Sequence, residues 1–148
     1  MSDEDVSGVH LWLVLLKAYR ALERRANASI EELGLCLSDF AILEILLHKG
    51  PLPVNAIGAR ILLTSGSTTS AVDRLERRGL VHRESHANDR RTRVVHLTQE
   101  GRVLIEAAFA RHAADMERAS AGLSIREKAA TSRLLRKLGT SAAKLPEA

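Results

Sequence analysis

Two runs of residues hold most of the chemistry this sequence offers. Thr64-Ser65-Gly66-Ser67-Thr68-Thr69-Ser70 sets six hydroxyl side chains around one glycine. Hydroxyls and the open backbone N–H groups of a helix start are donors for phosphate oxygens and base edges, and a glycine lets a ligand come close. A few residues on, Arg74, Arg77, Arg78, Arg83, Arg90, Arg91 and Arg93 follow one another with no lysine among them. The planar guanidinium fork suits phosphates and guanine edges better than the point charge of lysine does. Simple helix capping and a solvated charge run are the plain readings of these features; together they favour a polyanion as partner.

Other chemistry is thin. The chain has no glycine-rich phosphate loop, no His-Glu-x-x-His and no Cys-x-x-Cys, so the usual enzyme and zinc signatures are missing. No enzyme activity, cofactor or metal is expected. His82 and His96 can fall on paired strands, but without neighbouring cysteines they read as surface or packing residues. The lone Cys36 allows no intrachain disulfide and fits a cytosolic chain. A reactive thiol needs a positive, accessible setting, whereas Leu35 and Leu37 flank this one; redox sensing through Cys36 is the alternative reading. Trp12 and Tyr19 lie two turns apart in a helical segment and, with Phe40 and His48, are candidates to line an effector cavity, core or dimer packing being the plainer role. The first residues carry Asp3, Glu4 and Asp5, where a signal peptide needs positive charge. The apolar run Leu11 to Leu16 is far shorter than the roughly 20 residues of a membrane span, and a cytoplasmic protein is expected.

The elements that must position the polar run and the arginines follow from periodicity. Val9, Trp12 or Leu13, Leu16, Tyr19 and Leu22 recur every three or four residues and predict a helix over 6–32 ended by Gly34. Ser38 is expected to cap a buried helix over 39–48 stopped by Gly50. Pro51 and Pro53 are expected to open a short helix to about Arg60. Thr64 is the natural N-cap of a helix over 65–78, with Val72 and Leu75 inward and Gly79 at its end. Two helices with so short a connection make a helix-turn-helix. The period then changes: 80–84 and 93–97 are strand-like, with turn formers and charge over 85–92, which predicts a hairpin with a basic tip. Thr98 can cap a long helix over 99–119, and Ser124-Ile125-Arg126-Glu127 is a capping box opening a last helix to about Leu138.

The predicted fold class is therefore mainly α with a small β-hairpin wing: a winged helix-turn-helix with long N- and C-terminal helices. At 148 residues one cooperative domain is expected, with a lobe over 36–98 and flanking helices over 6–32 and 99–143. A net charge of +4 adds only a mild preference for anions.

Order and residues together resemble the MarR family of bacterial regulators over essentially the whole chain. Asp89-Arg90-Arg91-Thr92-Arg93-Val94-Val95-His96-Leu97-Thr98-Gln99-Glu100-Gly101 is similar to that family's wing signature, Asp-x-Arg, a strand, then Leu-Thr-x-x-Gly. Asp73-Arg74-Leu75-Glu76-Arg77-Arg78-Gly79-Leu80-Val81 is similar to its recognition-helix exit. The resemblance implies a homodimer built from the first and last two helices, and the apolar residues of those helices exceed what a monomer could cover. It also implies a transcriptional regulator, a ligand-responsive repressor on a palindromic double-stranded operator, with recognition helices about 34 Å apart. Carried over residue by residue, Arg91 enters the minor groove and Asp89 braces the wing; Arg90 and Arg93 are expected, from their charge alone, to meet the DNA backbone, a solvated charge run being the plainer reading. Arg74 is expected to reach a phosphate or guanine edge, and Asp73 to be a surface or pairing residue. Relatives release DNA when a small aromatic or phenolic compound binds, which is the effector class implied here. The peroxide-sensing branch carries its cysteine inside the first helix, a position Cys36 does not match.

Overall fold

The computed structural model describes residues 7–61, 65–86 and 88–147, and within these leaves out the side chains of Ser65, His86 and Arg90. Helix α1 (Gly8–Glu31) starts where the Ser7 hydroxyl accepts the His10 N–H. Only its C-terminal half joins the core, through Ala26, Ser29 and Ile30, one turn apart. Gly34, at φ 69°, turns the chain into α2 (Leu37–Lys49).

Helix α2 departs from expectation at its start. It begins at Leu37 with Cys36 as N-cap residue and without a side-chain capping bond, so Ser38 sits inside the first turn. The left-handed turn at Gly34 brings the chain in early, and Ser38 and Asp39 are then first-turn residues, where their polarity suits the exposed N–H groups. Phe40, Ile42, Leu43 and Leu46 make α2 the centre of the core.

Pro51 and Pro53 do not open a helix. Leu52–Pro53 form a short strand, β1, and only then does α3 (Val54–Ile61) begin. The residue before a proline is pushed towards extended backbone, and a proline is tolerated on an edge strand because its missing N–H faces away from the ladder. Helix α4 (Ser65–Arg77) follows; Thr64, expected to cap it, lies outside the described residues.

Strands β2 (Val81–His86) and β3 (Asp89–Leu97) pair antiparallel, and β1 adds to the other edge of β3, giving the order β1-β3-β2. The pairing takes in residues expected to be loop, with a register irregularity at Ser85/His86, so the ladder of the wing is longer than expected. Thr98 caps α5 (Gln99–Ala119) as expected, accepting the Gly101 N–H at 3.0 Å while donating to the Gly79 carbonyl at 2.6 Å. A Cβ on Gly101 would stand 1.9 Å from the Leu80 carbonyl oxygen. The glycine lets α5 lie flush against the corner between α4 and β2. The capping box of Ser124 and Glu127 opens α6 (Ile125–Ala142), a turn longer than expected.

The core gathers Ile57 from α3, Val72 and Leu75 from α4, Val81 and Val95 from the sheet and Ile105 from α5 around α2. The N-terminal half of α1 and all of α6 stand outside it. Leu11, Trp12, Leu13, Leu134, Leu135 and Leu138 are all at least a third exposed, Trp12 by 60%. Among the described residues no helix is long and apolar enough to cross a membrane.

Candidate nucleic-acid interface

Helix α4 has two chemically distinct faces. Thr68, Ala71, Val72 and Leu75 recur at helical spacing and are buried, which fixes the helix on α2 and α3. Gly66, Ser67, Thr69 and Ser70 are exposed on the opposite side, and beside Gly66 there is open space. The hydroxyl-rich run therefore divides. Thr68, expected among the contact residues, is 0% exposed and serves the core, because its phase on the helix is that of Val72 and Leu75. Its neighbours present a small, polar, unobstructed surface.

The arginines divide in the same way. The Arg74 guanidinium donates to Asp39 Oδ1 at 2.6 Å, the carboxylate being 6% exposed and the arginine side chain 44%. The bond to Asp39 raises the Arg74 pKa above its ordinary value. The pairing ties the recognition-type helix to the first turn of α2. Arg78 donates to the Gly34 carbonyl at 2.7 Å and strengthens the same joint. Arg83, nearly buried on β2, reaches Asp73 at 2.6 Å and Glu76 at 2.9 Å on α4. Asp73 is thus a pairing residue, as expected. Arg74 and Arg78 fix α4 against α2 and the turn before it, and Arg83 fixes the wing to α4, roles invisible in sequence because the acceptors lie 7 to 44 residues away.

At the wing tip the Asp89 carboxylate accepts the Arg91 N–H at 2.9 Å and the Thr92 hydroxyl at 3.0 Å. Both oxygens stitch the start of β3, leaving Arg91 and Arg93 with exposed side chains. For Arg90 the backbone lies in β3, but its side chain is outside the description.

The four aromatic candidates are not brought to one place. Trp12 lines a groove of about 340 Å³ between α1 and α6 together with Leu11, Leu15, Leu135 and Leu138. Tyr19 is exposed and donates to Glu23 at 2.9 Å. Phe40 is buried and packs on His112 with ring centroids 5.0 Å apart, while His48 meets Phe109 edge-on at 4.7 Å. Phe40 and His48 therefore share the seam between α2 and α5, which involves Phe109 and His112, two residues that the sequence reading did not single out. Cys36 is exposed, with its Sγ 3.1 Å from Ser38 Oγ and 3.8 Å from the Arg74 guanidinium. The cation missing from its sequence neighbourhood is thus supplied across the fold.

The model of the MarR family matches residues 35–92, the span from α2 to the wing tip. The HTH-type transcriptional regulator MhqR of Bacillus subtilis is 38% identical over 132 residues, which covers 89% of this chain and 91% of that protein. Among solved structures, a mutant E. coli MarR in complex with operator DNA superposes with a TM-score of 0.81 at 22% identity, covering 93% of this chain and 99% of that one. BpsR of Bordetella bronchiseptica, whose DNA binding is regulated by 6-hydroxynicotinic acid, gives a TM-score of 0.79 at 24% identity over 88% of this chain and 98% of its own. These two likenesses concern the fold.

Proposed function

The chain belongs to the MarR family of winged helix-turn-helix transcriptional regulators, which bind DNA, and from that premise we propose that it acts as a homodimeric, ligand-responsive repressor on a palindromic operator. The observation that carries this reading is the exposed hydroxyl face of α4 fixed beside the arginine-tipped wing by the Arg83 pairs with Asp73 and Glu76. Backbone N–H groups at the start of α4, with Ser65, Ser67, Thr69 and Ser70, meet the major groove, and Gly66 permits close approach. Thr64 belongs to the same contact set. Arg91 enters the adjacent minor groove, Asp89 shapes the tip that carries it, and Arg90 and Arg93 neutralise phosphates. Arg74 acts chiefly as the brace between α4 and Asp39, and the exposed part of its side chain faces phosphate.

Dimerisation follows from the apolar residues that one chain leaves uncovered on α1 and α6. Two-fold symmetry then repeats the grip about one turn of DNA away, near 34 Å, and implies a two-fold related site. A dimer lying across successive grooves excludes other proteins from the same stretch, which favours repression. The effector is a small aromatic or phenolic compound, as the regulation of BpsR by 6-hydroxynicotinic acid supports. It is taken up next to Trp12 or along the seam of Phe40 and His48, with Tyr19 on the same dimerising helix.

Titration of the protein against the DNA upstream of its own gene at several salt concentrations tests the reading. A steep fall of affinity with salt is expected, because neutralised phosphates release counterions. Tight binding independent of salt, or none, overturns it. A thermal-shift series with aromatic acids and phenols tests the effector class.

The Cys36–Arg74 contact favours one second reading, in which peroxide oxidises the Cys36 thiol to a sulfenic acid and weakens the brace on α4. Peroxide treatment that leaves DNA binding unaltered and Cys36 a free thiol removes it.

A further inference from the structure

We propose that the outer face of the wing is a binding site for a zinc-class dication, formed by His82 and Glu84 on β2 and His96 on β3. The antiparallel register sets His82 directly opposite His96, and Glu84 two residues along the same strand. Alternation then puts all three on one face of the ladder, while Val81 and Val95 turn into the core and Arg83 turns onto α4. His82, Glu84 and His96 keep 44%, 59% and 29% of their side-chain surface, so an ion can reach them.

The geometry goes beyond shared placement. The two imidazoles lie nearly parallel, 13° apart with centroids 5.1 Å from each other. Both aim Nε2 at the same carboxylate, His82 at Oε1 from 2.8 Å and His96 at Oε2 from 3.4 Å. One ligand atom from each residue lies within 4.8 Å of the others. Around a tetrahedral zinc with bonds of about 2.0–2.2 Å, ligand atoms stand roughly 3.3 Å apart, so small side-chain adjustments bring the three onto one ion. Two imidazoles and a carboxylate select zinc and its neighbours over magnesium or calcium, which prefer all-oxygen shells. The fourth position opens to solvent. The ion ties β2 to β3 across the wing without using Arg91 or Arg93, so the site stands independently of the DNA-binding reading.

The test uses the full chain, freed of metal with a chelator and dialysed. Zinc titrated by calorimetry is expected to bind once per chain, undisturbed by excess magnesium. His82→Gln, His96→Gln and Glu84→Gln each weaken it by about tenfold or more, whereas His10→Gln leaves it unchanged. Cobalt is expected to give the comparatively intense visible d–d bands of a nitrogen- and oxygen-ligated tetrahedral ion, without the strong near-ultraviolet band of a thiolate. Zinc is also expected to slow amide exchange in β2 and β3 in the parent protein, a readout needing no variant. Circular dichroism of the metal-free variants separates lost binding from lost fold. Any of three results overturns the site: no binding at excess zinc, an affinity indifferent to the double substitution of His82 and His96, or a thiolate band that places the ion at Cys36.

Discussion

Individual side chains in this protein separate into those that hold the proposed DNA-facing surface in place and those that present it. Arg91→Ala removes a presented group whose backbone, not its side chain, is tied to Asp89. Operator affinity is expected to fall by roughly 1–3 kcal/mol with the melting temperature unchanged, as a gel-shift titration at fixed salt and a thermal melt will show. Arg74 belongs to the other group, and its pair with Asp39 is asymmetric. Removing Arg74 strands a nearly buried carboxylate, at about 1–3 kcal/mol or more, while Asp39→Asn leaves an arginine already 44% exposed, at about 1 kcal/mol or less. Urea unfolding of Arg74→Met and Asp39→Asn should show that order. The inward place of Thr68 was legible in principle, since it keeps phase with Val72 and Leu75; a run of hydroxyls simply hides the phase. The partner of Arg74 was not legible, because nothing local connects residues 35 positions apart.

Secondary-structure elements were easiest to read where a local device ends them. Thr98 and the Ser124–Glu127 box cap their helices where the sequence places them, since a capping hydroxyl and the N–H groups that donate to it lie within one turn. Leu52–Pro53 was misread because the strand exists only through its pairing with Val94 and Val95 on β3, a contact no local pattern reports. The same limit explains the wing, where ladder hydrogen bonds extend order into residues with turn-like composition. Gly101, the last residue of the wing motif, has a mechanical reason for its identity. Gly101→Ala is expected to destabilise by roughly 1–3 kcal/mol, because its Cβ has only the rigid Leu80 backbone to displace. Thr98→Ala is expected to cost about 1–2 kcal/mol, and chemical denaturation measures both.

At the scale of the whole molecule, the terminal helices are unfinished surfaces, as their exposed leucines and Trp12 indicate. The overall order of helices, hairpin and uncovered termini was legible because apolar periodicity persists over many turns. The convergence of aromatic residues was not legible, because it depends on how helices cross. Leu135→Glu is expected to shift the assembly to monomers in sedimentation analysis and to abolish tight operator binding, the helical content staying the same. An unchanged sedimentation coefficient speaks against α6 as the dimer seam. The fixed joint between α4 and the wing has a further consequence. With Arg83 clasping Asp73 and Glu76, and α5 flush on Leu80, neither gripping part can drift relative to the other. In the proposed dimer each lobe then swings as one caliper jaw about the α1–α5 shaft. On an arm of about 17 Å, half the groove-to-groove span, a tilt of about 10° displaces the fingertip by about 3 Å. A small wedge near the shaft thus puts both jaws out of step with the pitch of the duplex while every contact within a jaw stays intact.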